Sequence, residues 1–277
     1  MRHTRKKPTT EPQSGAKRVS FDWKGLEECL ASRSPVAGVR FDYAEGEHIP
    51  SHSHHKSQLI YAIQGTMTVS TIDGSWVLLP ARAVWVPANI SHSIRVHTAI
   101  QMRTLYFDAN LPELPKECAV IGISSFFREL ILEILKEPRS YHAGNRADHL
   151  AALIRMELSA MPILPLHLPW PKDQRLRKIC TSLRKHPNLR NSVELWADSI
   201  EVSRRTLERL FQKELGMTLS DWRTHLLLLE AQVRLAQGHS SARIARALGY
   251  ESQSAFIAMF KKYFGVPPMD YFLHDPR

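Results

Sequence analysis

Two segments decide how this chain is organised: Ser203-Arg-Arg-Thr-Leu-Glu-Arg-Leu-Phe-Gln-Lys-Glu-Leu-Gly216 and Ser252-Gln-Ser-Ala-Phe-Ile-Ala-Met-Phe-Lys-Lys-Tyr-Phe-Gly265. Both read as one helix, with serine at the N-cap and glycine at the C-terminal stop. Between them, apolar residues fall at matching steps: Leu207, Leu210, Phe211 and Leu215 in the first copy, and Phe256, Met259, Phe260 and Phe264 in the second. A shorter apolar set precedes each copy, Trp196, Ala197 and Ile200 and then Ile244, Ala245 and Leu248. The small side chains at Ala197 and Ala245 let two helices cross closely. Short helix, tight turn and longer helix make the helix-turn-helix plan, whose second helix enters a major groove, and here the plan is duplicated.

The stretch from Thr218 to Gln237 between the two units contains no proline or glycine and opens with Thr218-x-x-Asp221, a helix-starting cap. Twenty residues of helix would be about 30 Å long, close to the ~34 Å turn of B-DNA. Such a strut sets two recognition helices over successive major grooves on one side of a duplex.

Charge is distributed in the way this reading requires. The 277 residues carry a net charge of +10. Residues 1–20 hold six Lys/Arg against one Glu, residues 21–115 seven against nine, residues 116–170 six against six, and residues 171–277 eighteen against eleven. The basic C-terminal third is thus a polyanion-binding module attached to a neutral-to-acidic partner. The length itself exceeds what one core usually needs and predicts more than one domain. No run approaches eighteen uninterrupted apolar residues, and the basic start MRHTRKKPTT is not followed by an apolar stretch, so a cytoplasmic protein without a membrane anchor is expected. Cys29, Cys118 and Cys180 are scattered and odd in number, which suggests neither a disulfide framework nor a redox pair.

From about Val36 to Phe107, short apolar runs alternate with turn signals, as in a β-barrel or sandwich. Strands are predicted at Leu59–Ile63, Thr66–Thr71, Ser75–Leu79, Ala83–Val86, Ser93–Val96 and Gln101–Phe107. Gly65 closes one turn, and Asp73-Gly74 suggests a type I′ hairpin. Pro80 and Pro87 bracket the strand that contains Trp85. His52-x-His54 on a strand would place both imidazoles on one face, and a later strand of a closed barrel would bring His92 to them.

The run Gly46, His52, His54, Gln58, Gly65, followed by Pro87, Asn89 and His92, resembles the two cupin motifs over roughly residues 35–110. That resemblance implies a small β-barrel able to hold a divalent transition metal. Two positions depart from it: Gln58 stands at the carboxylate ligand, and Ala81 at the glycine that opens the second motif. A neutral amide is a poor metal ligand beside a carboxylate, although three histidines alone form a three-ligand site with an open position. His52, His54, Gln58 and His92 are therefore expected to be effector-pocket residues, with a metal on the three histidines as the alternative.

Residues 116–171 read as a helical connector. Ile121, Phe126, Phe127, Leu130, Ile131, Ile134 and Leu135 recur with helical period, and His149–Met161 supplies a second helix. The broad apolar face of the first helix suggests a homodimer contact. The prolines between Met161 and Pro171 mark a linker.

Residues 173–277 resemble the AraC/XylS-type DNA-binding domain. The matching positions are Ala197, Ser203, Leu207, Arg209, Phe211 and Gly216, then Trp222-Arg223 and Ala231, and finally Ile244-Ala245, Leu248-Gly249-Tyr250, Ser252, Phe256, Phe260-Lys261, Gly265-Val266-Pro267 and Tyr271. Leu227, Ala258 and Phe272 stand where the family commonly has arginine. The whole chain thus resembles an AraC-family regulator of α+β multidomain class: a basic tail 1–20, a cupin-like sensor barrel 21–115, a connector 116–171, and a double helix-turn-helix domain 172–277. The resemblance implies promoter DNA, a small-molecule effector, a second copy of the chain and RNA polymerase as partners, and no catalysis. The rival reading is a metal-dependent cupin enzyme fused to a DNA-binding domain.

Arg204, Arg205, Glu208 and Arg209 lie off the buried stripe of the first recognition helix. Arginine bonds guanine bidentately and glutamate accepts from cytosine, so Arg205, Glu208 and Arg209 are expected to read bases, and Arg204 to bind phosphate. The second helix offers Gln253, Ser254 and Ile257, with Ala258, which suit thymine methyls, an occasional adenine or the backbone.

Overall fold

The computed structural model describes residues 23–164, 167–188 and 191–271. The basic tail 1–20 and Phe272 lie outside them. Helix α1 (Trp23–Ala31) precedes an N-terminal domain of two antiparallel sheets facing each other. The larger sheet has the order β1-β8-β3-β6-β9-β10: β1 (Val36–Tyr43), β8 (Ile100–Phe107), β3 (Ser57–Gln64), β6 (Arg82–Val86), β9 (Ala119–Gly122) and β10 (Ile163–Leu164). The smaller has the order β11-β5-β4-β7-β2: β11 (Leu168–Pro169), β5 (Gly74–Leu78), β4 (Met67–Thr71), β7 (His92–Val96) and β2 (His48–His52). The domain is the cupin-like two-sheet fold expected from the sequence.

Alternation along each strand divides the larger sheet between two cores. One set, including Val39, Phe41, Ile60, Val84 and Met102, meets Met67, Val69, Trp76, Leu78 and Ile94 of the smaller sheet. The other set, including Leu59, Tyr61, Trp85, Leu105 and Phe107, packs under α2 (Ser125–Ile134) and α3 (Arg146–Ala160) through Phe127, Ile131, Ile154 and Leu158. Both faces of this sheet are buried, so β3 reads as an almost unbroken apolar run.

Three expectations for the connector are overturned. Ile121 belongs to β9, not to a helix, and pairs with Ala83. Most of the apolar face of α2, through Phe127, Leu130, Ile131 and Ile134, covers its own sheet instead of a second subunit, while Phe126 is exposed; the Ser124 hydroxyl caps the helix by accepting from Phe127 N. The proline-rich stretch is no free linker either, because Ile163 pairs with Ile121 and Leu168 with Ser75. A boundary near residue 115 therefore leaves three strands of the N-terminal domain, β9, β10 and β11, outside it.

Asp73-Gly74 also differs from expectation: neither residue has a positive φ. The requirement for glycine is one of space, since a Cβ on Gly74 would lie 2.9 Å from the Leu168 carbonyl oxygen of β11. Ala81, at the motif's glycine position, retains the left-handed conformation with φ 63°.

The C-terminal domain is helical: α4 (Gln174–Lys185), α5 (Val193–Asp198), α6 (Arg204–Leu215), α7 (Leu219–Ala236), α8 (Ser241–Ala247) and α9 (Gln253–Phe264). Ser203 and Ser252 cap α6 and α9, and Gly216 and Gly265 end them in the left-handed conformation. Thr218 and Asp221 form the capping box of α7. The first unit's core takes in Leu168, and the indole N–H of Trp222 donates to the Pro169 carbonyl at 2.7 Å. The second unit's core takes in Val77 and Leu79 of the N-terminal domain, and Arg82 donates to the Tyr271 hydroxyl at 2.7 Å. Among the described residues, no helix is long and apolar enough to cross a membrane, and Cys118 and Cys180 are free thiols.

Candidate nucleic-acid interface and histidine cluster

On α6 the sequence-predicted readers separate into two groups. Arg204 donates to Glu208 at 2.9 Å and to Glu194 of α5 at 2.7 Å. These contacts brace the short helix against the recognition helix, and they occupy Glu208, which the sequence suggested as a base reader. Arg205 and Arg209 are exposed, lie one turn apart on the next face, and join no ion pair among the described residues. On α9, Gln253 and Ser254 are exposed, Ile257 is half-buried, and no residue offers a guanidinium. Both helices are capped by serine at the N-terminus, where the helix dipole is positive.

In the N-terminal domain, β2 ends at His52, which pairs across the ladder with His92 of β7. The register shifts between Ile49 and His52, and His54 lies beyond the strand rather than on it. The three imidazoles still converge, with one nitrogen from each within 4.8 Å of the others. Each Nδ1 faces a backbone carbonyl: His52 that of Pro50 at 2.8 Å, His54 that of Lys56 at 2.6 Å, and His92 that of Ile90 at 3.0 Å. A carbonyl only accepts, so the Nδ1 of His52 and that of His92 carry a proton.

Gln58 is oriented by the same logic. Thr104 Oγ1 donates to the Leu59 carbonyl at 3.0 Å, so it accepts from the Gln58 amide nitrogen at 2.8 Å. Gln58 Oε1 is then left 3.0 Å from His54 Nε2, so both ring nitrogens of His54 face acceptors and the neutral ring donates to one of them at a time. Burial, followed by the neighbouring His52, lowers the pKa of His92 to about 4, and burial also lowers that of His54. His92 is therefore neutral near pH 7 and keeps a lone pair on Nε2. The Nε2 of His92 is buried with no hydrogen-bond partner. Donation of Nδ1 to a carbonyl with Nε2 left open is the arrangement of metal-binding histidines, which His92 has; His54 would have to turn its Nε2 from Gln58 to join a divalent ion there.

Family models match both halves of the chain, a cupin domain over residues 39–107 and a helix-turn-helix domain over residues 196–273. The HTH-type transcriptional regulator NimR of Escherichia coli is 33% identical over 222 residues, 80% of this chain and 81% of NimR. The chain belongs to the AraC-type transcriptional regulators. Within this family it is also 24% identical to the arabinose operon regulatory protein of Salmonella typhimurium over 147 residues, 52% of each. The crystal structure of ToxT from Vibrio cholerae aligns with 87% of this chain and 98% of ToxT at 12% identity, with a TM-score of 0.37. As an AraC-type regulator, the protein carries its DNA-binding helix-turn-helix domain in the C-terminal helices and its cupin ligand-binding domain in the two sheets.

The sequence found the histidines through their spacing. It missed the engagement of Glu208 by Arg204, because side chains four apart on a helix can pair or point to DNA and only the third partner, Glu194, decides between them.

Proposed function

We propose that this regulator reads its operator chiefly through α6, with Arg205 and Arg209 as base readers and Arg204 and Glu208 as the brace that holds α6 against α5. α9 supplies mostly backbone and methyl contacts through Gln253, Ser254 and Ile257. The unequal supply of free guanidinium groups on the two recognition helices carries this reading. The test is competition between operator and scrambled DNA at fixed salt. Arg209→Ala removes about 1–3 kcal/mol of discrimination at the half-site facing α6 and leaves salt-sensitive non-specific binding. Gln253→Ala costs less. Loss of specificity in Gln253→Ala with Arg209→Ala unaffected would reverse the assignment of the two helices.

The same reading makes the protein a cytoplasmic homodimer that acts on promoter DNA together with RNA polymerase. The histidine cluster serves sensing rather than turnover: His52, His54 and His92 hold a divalent transition metal beside Gln58. When bound, that ion supplies an open coordination position for a small effector. The orphaned Nε2 of His92 supports this assignment. Elemental analysis of the purified chain is expected to give close to one transition metal per chain, lost in the His52→Ala/His54→Ala double variant. Metal-free protein that still answers its effector would leave the histidines as ordinary pocket residues, and turnover of a small substrate by the metal-loaded chain would favour the cupin-enzyme reading.

A further inference from the structure

The smaller sheet has an inner face that fills the core and an outer face that its own domain leaves uncovered. On the outer face, Ser75, Ser70 and Ser93 are cross-strand neighbours on β5, β4 and β7. The adjacent row runs through Val77, Thr68, Arg95 and His48. Helix α7 lies across these rows and turns Leu226, Leu229, Glu230 and Val233 toward them, one face at helical spacing. Between sheet and helix is a cavity of about 390 Å³ with one wall from each domain. That volume lies within the range of roughly 300–1,000 Å³ typical of small-molecule sites, which favour domain interfaces.

The chemistry of the walls is specific. The floor is hydroxylic, with Ser70 and Ser75 oxygens 3.0 Å apart and Thr68 bonded to His97 at 2.7 Å. The roof is apolar apart from Glu230, which lies 3.9 Å from Arg234 and whose carboxyl pKa is raised by burial. Two guanidinium groups line the cavity: Arg95 on the sensor wall, and Arg184, from the last turn of α4, on the DNA-binding wall. Neither joins an ion pair among the described residues. Arg184 stacks over Trp170 at 4.8 Å, and Trp170 is anchored to the sensor domain by its N–H to the Asp73 carbonyl at 2.8 Å. The cation from one domain is thus positioned by a residue hydrogen-bonded to the other.

We propose that this interdomain cleft binds a short organic dicarboxylate, with one carboxylate on Arg95 and the other on Arg184 and its hydrocarbon middle against Leu226, Leu229 and Val233. Such a ligand touches both walls at once, so it stabilises the docked arrangement of sensor and DNA-binding domain over any arrangement in which the walls separate. This goes beyond the histidine cluster, and only its regulatory consequence rests on the regulator reading.

The test is calorimetric titration of the full-length chain at fixed ionic strength with malonate, succinate, glutarate and adipate, and with butyrate as a single-carboxylate control. One member of the dicarboxylate series is expected to bind about tenfold more tightly than butyrate, because each bidentate guanidinium–carboxylate pair adds separately. Arg95→Ala and Arg184→Ala should each reduce that member to the level of butyrate. Leu229→Trp, which fills the cavity and leaves both cations in place, should abolish binding. Equal affinity for butyrate and every dicarboxylate, no binding of any, or binding unchanged in both arginine variants overturns the proposal. So does binding that is lost in His52→Ala/His92→Ala but kept in Arg95→Ala, which would place the ligand at the histidines. Retention of DNA by the unliganded chain separates the two readings. A chain that binds dicarboxylate but no DNA defeats the regulator reading alone, and one that binds DNA but no dicarboxylate defeats the cleft alone.

Discussion

The two helix-turn-helix units share one sequence pattern and occupy different surroundings. The first closes its core with the end of the connecting segment, through Leu168 and the Trp222–Pro169 hydrogen bond, and keeps two free arginines on its recognition helix. The second closes its core against the sensor, through Val77, Leu79 and the Arg82–Tyr271 hydrogen bond, and its recognition helix is short of charge. The two copies of the scaffold thus differ in surface: the first keeps exposed arginines on its longer helix, and the second packs Val77 and Leu79 of the sensor into its core. Their turns differ too. Each is closed by a hydrogen bond back to the alanine at the crossing, Val202 to Ala197 and Tyr250 to Ala245. The left-handed residue inside the turn is Glu201 in the first and Gly249 in the second.

The largest expected effect tests the first unit's dependence on its connecting segment. A C-terminal fragment beginning at residue 172 lacks Leu168 and the carbonyl that holds Trp222. Compared with a fragment beginning at residue 167, it is expected to lose about 3–4 kcal/mol in denaturant unfolding, from one buried leucine and one hydrogen bond. Equal stability would mean that the first unit owes nothing to this segment.

An intermediate effect concerns the contact of the second unit with the sensor, where Gln237 of the α7 C-cap donates to the His97 carbonyl at 3.4 Å. Burial, followed by Arg95, lowers the His97 pKa to about 4 from an ordinary value of 6.5. Between those values the unfolded chain binds the extra proton and the folded one does not, so stability is fully present above about pH 6.5 and falls as pH drops toward 4. After solvent screening, the loss attributable to His97 is about 1–2 kcal/mol. His97→Gln should flatten the slope of stability against pH in that window. An unchanged slope assigns it to His92 and His54, whose pKa values are lowered for the same reason.

The smallest effect sharpens the comparison of the turns. Glu201 has φ 56°, a region costly for a residue with a Cβ, whereas glycine serves at the matching Gly249. Glu201→Gly is expected to stabilise the domain by up to about 1 kcal/mol, read as a rise in melting temperature with DNA affinity unchanged. The reverse change, Gly249→Ala, should destabilise, since a Cβ there would also lie 3.3 Å from Asn188.

The sequence by itself determined the local elements whose signals are short-range. Caps, stops and apolar spacing placed α6, α7 and α9 to within a residue or two, because an N-cap serine and a left-handed glycine act on the helix they border. The histidine spacing likewise held, although His54 reaches the cluster from a loop. Only the tertiary structure decided what those elements pack against. A stretch such as residues 119–122 is apolar whether it continues a helix or completes a sheet, and strand pairing with β6 settled it. The apolar face of α2 would suit a second subunit or its own sheet equally well, and the sheet's second buried face was the nearer surface. Prolines end helices but do not forbid edge strands, so the segment read as a linker could join both sheets. The cleft between Arg95 and Arg184 had no signal in the sequence at all, because it exists only where the two domains bring residues 89 positions apart face to face.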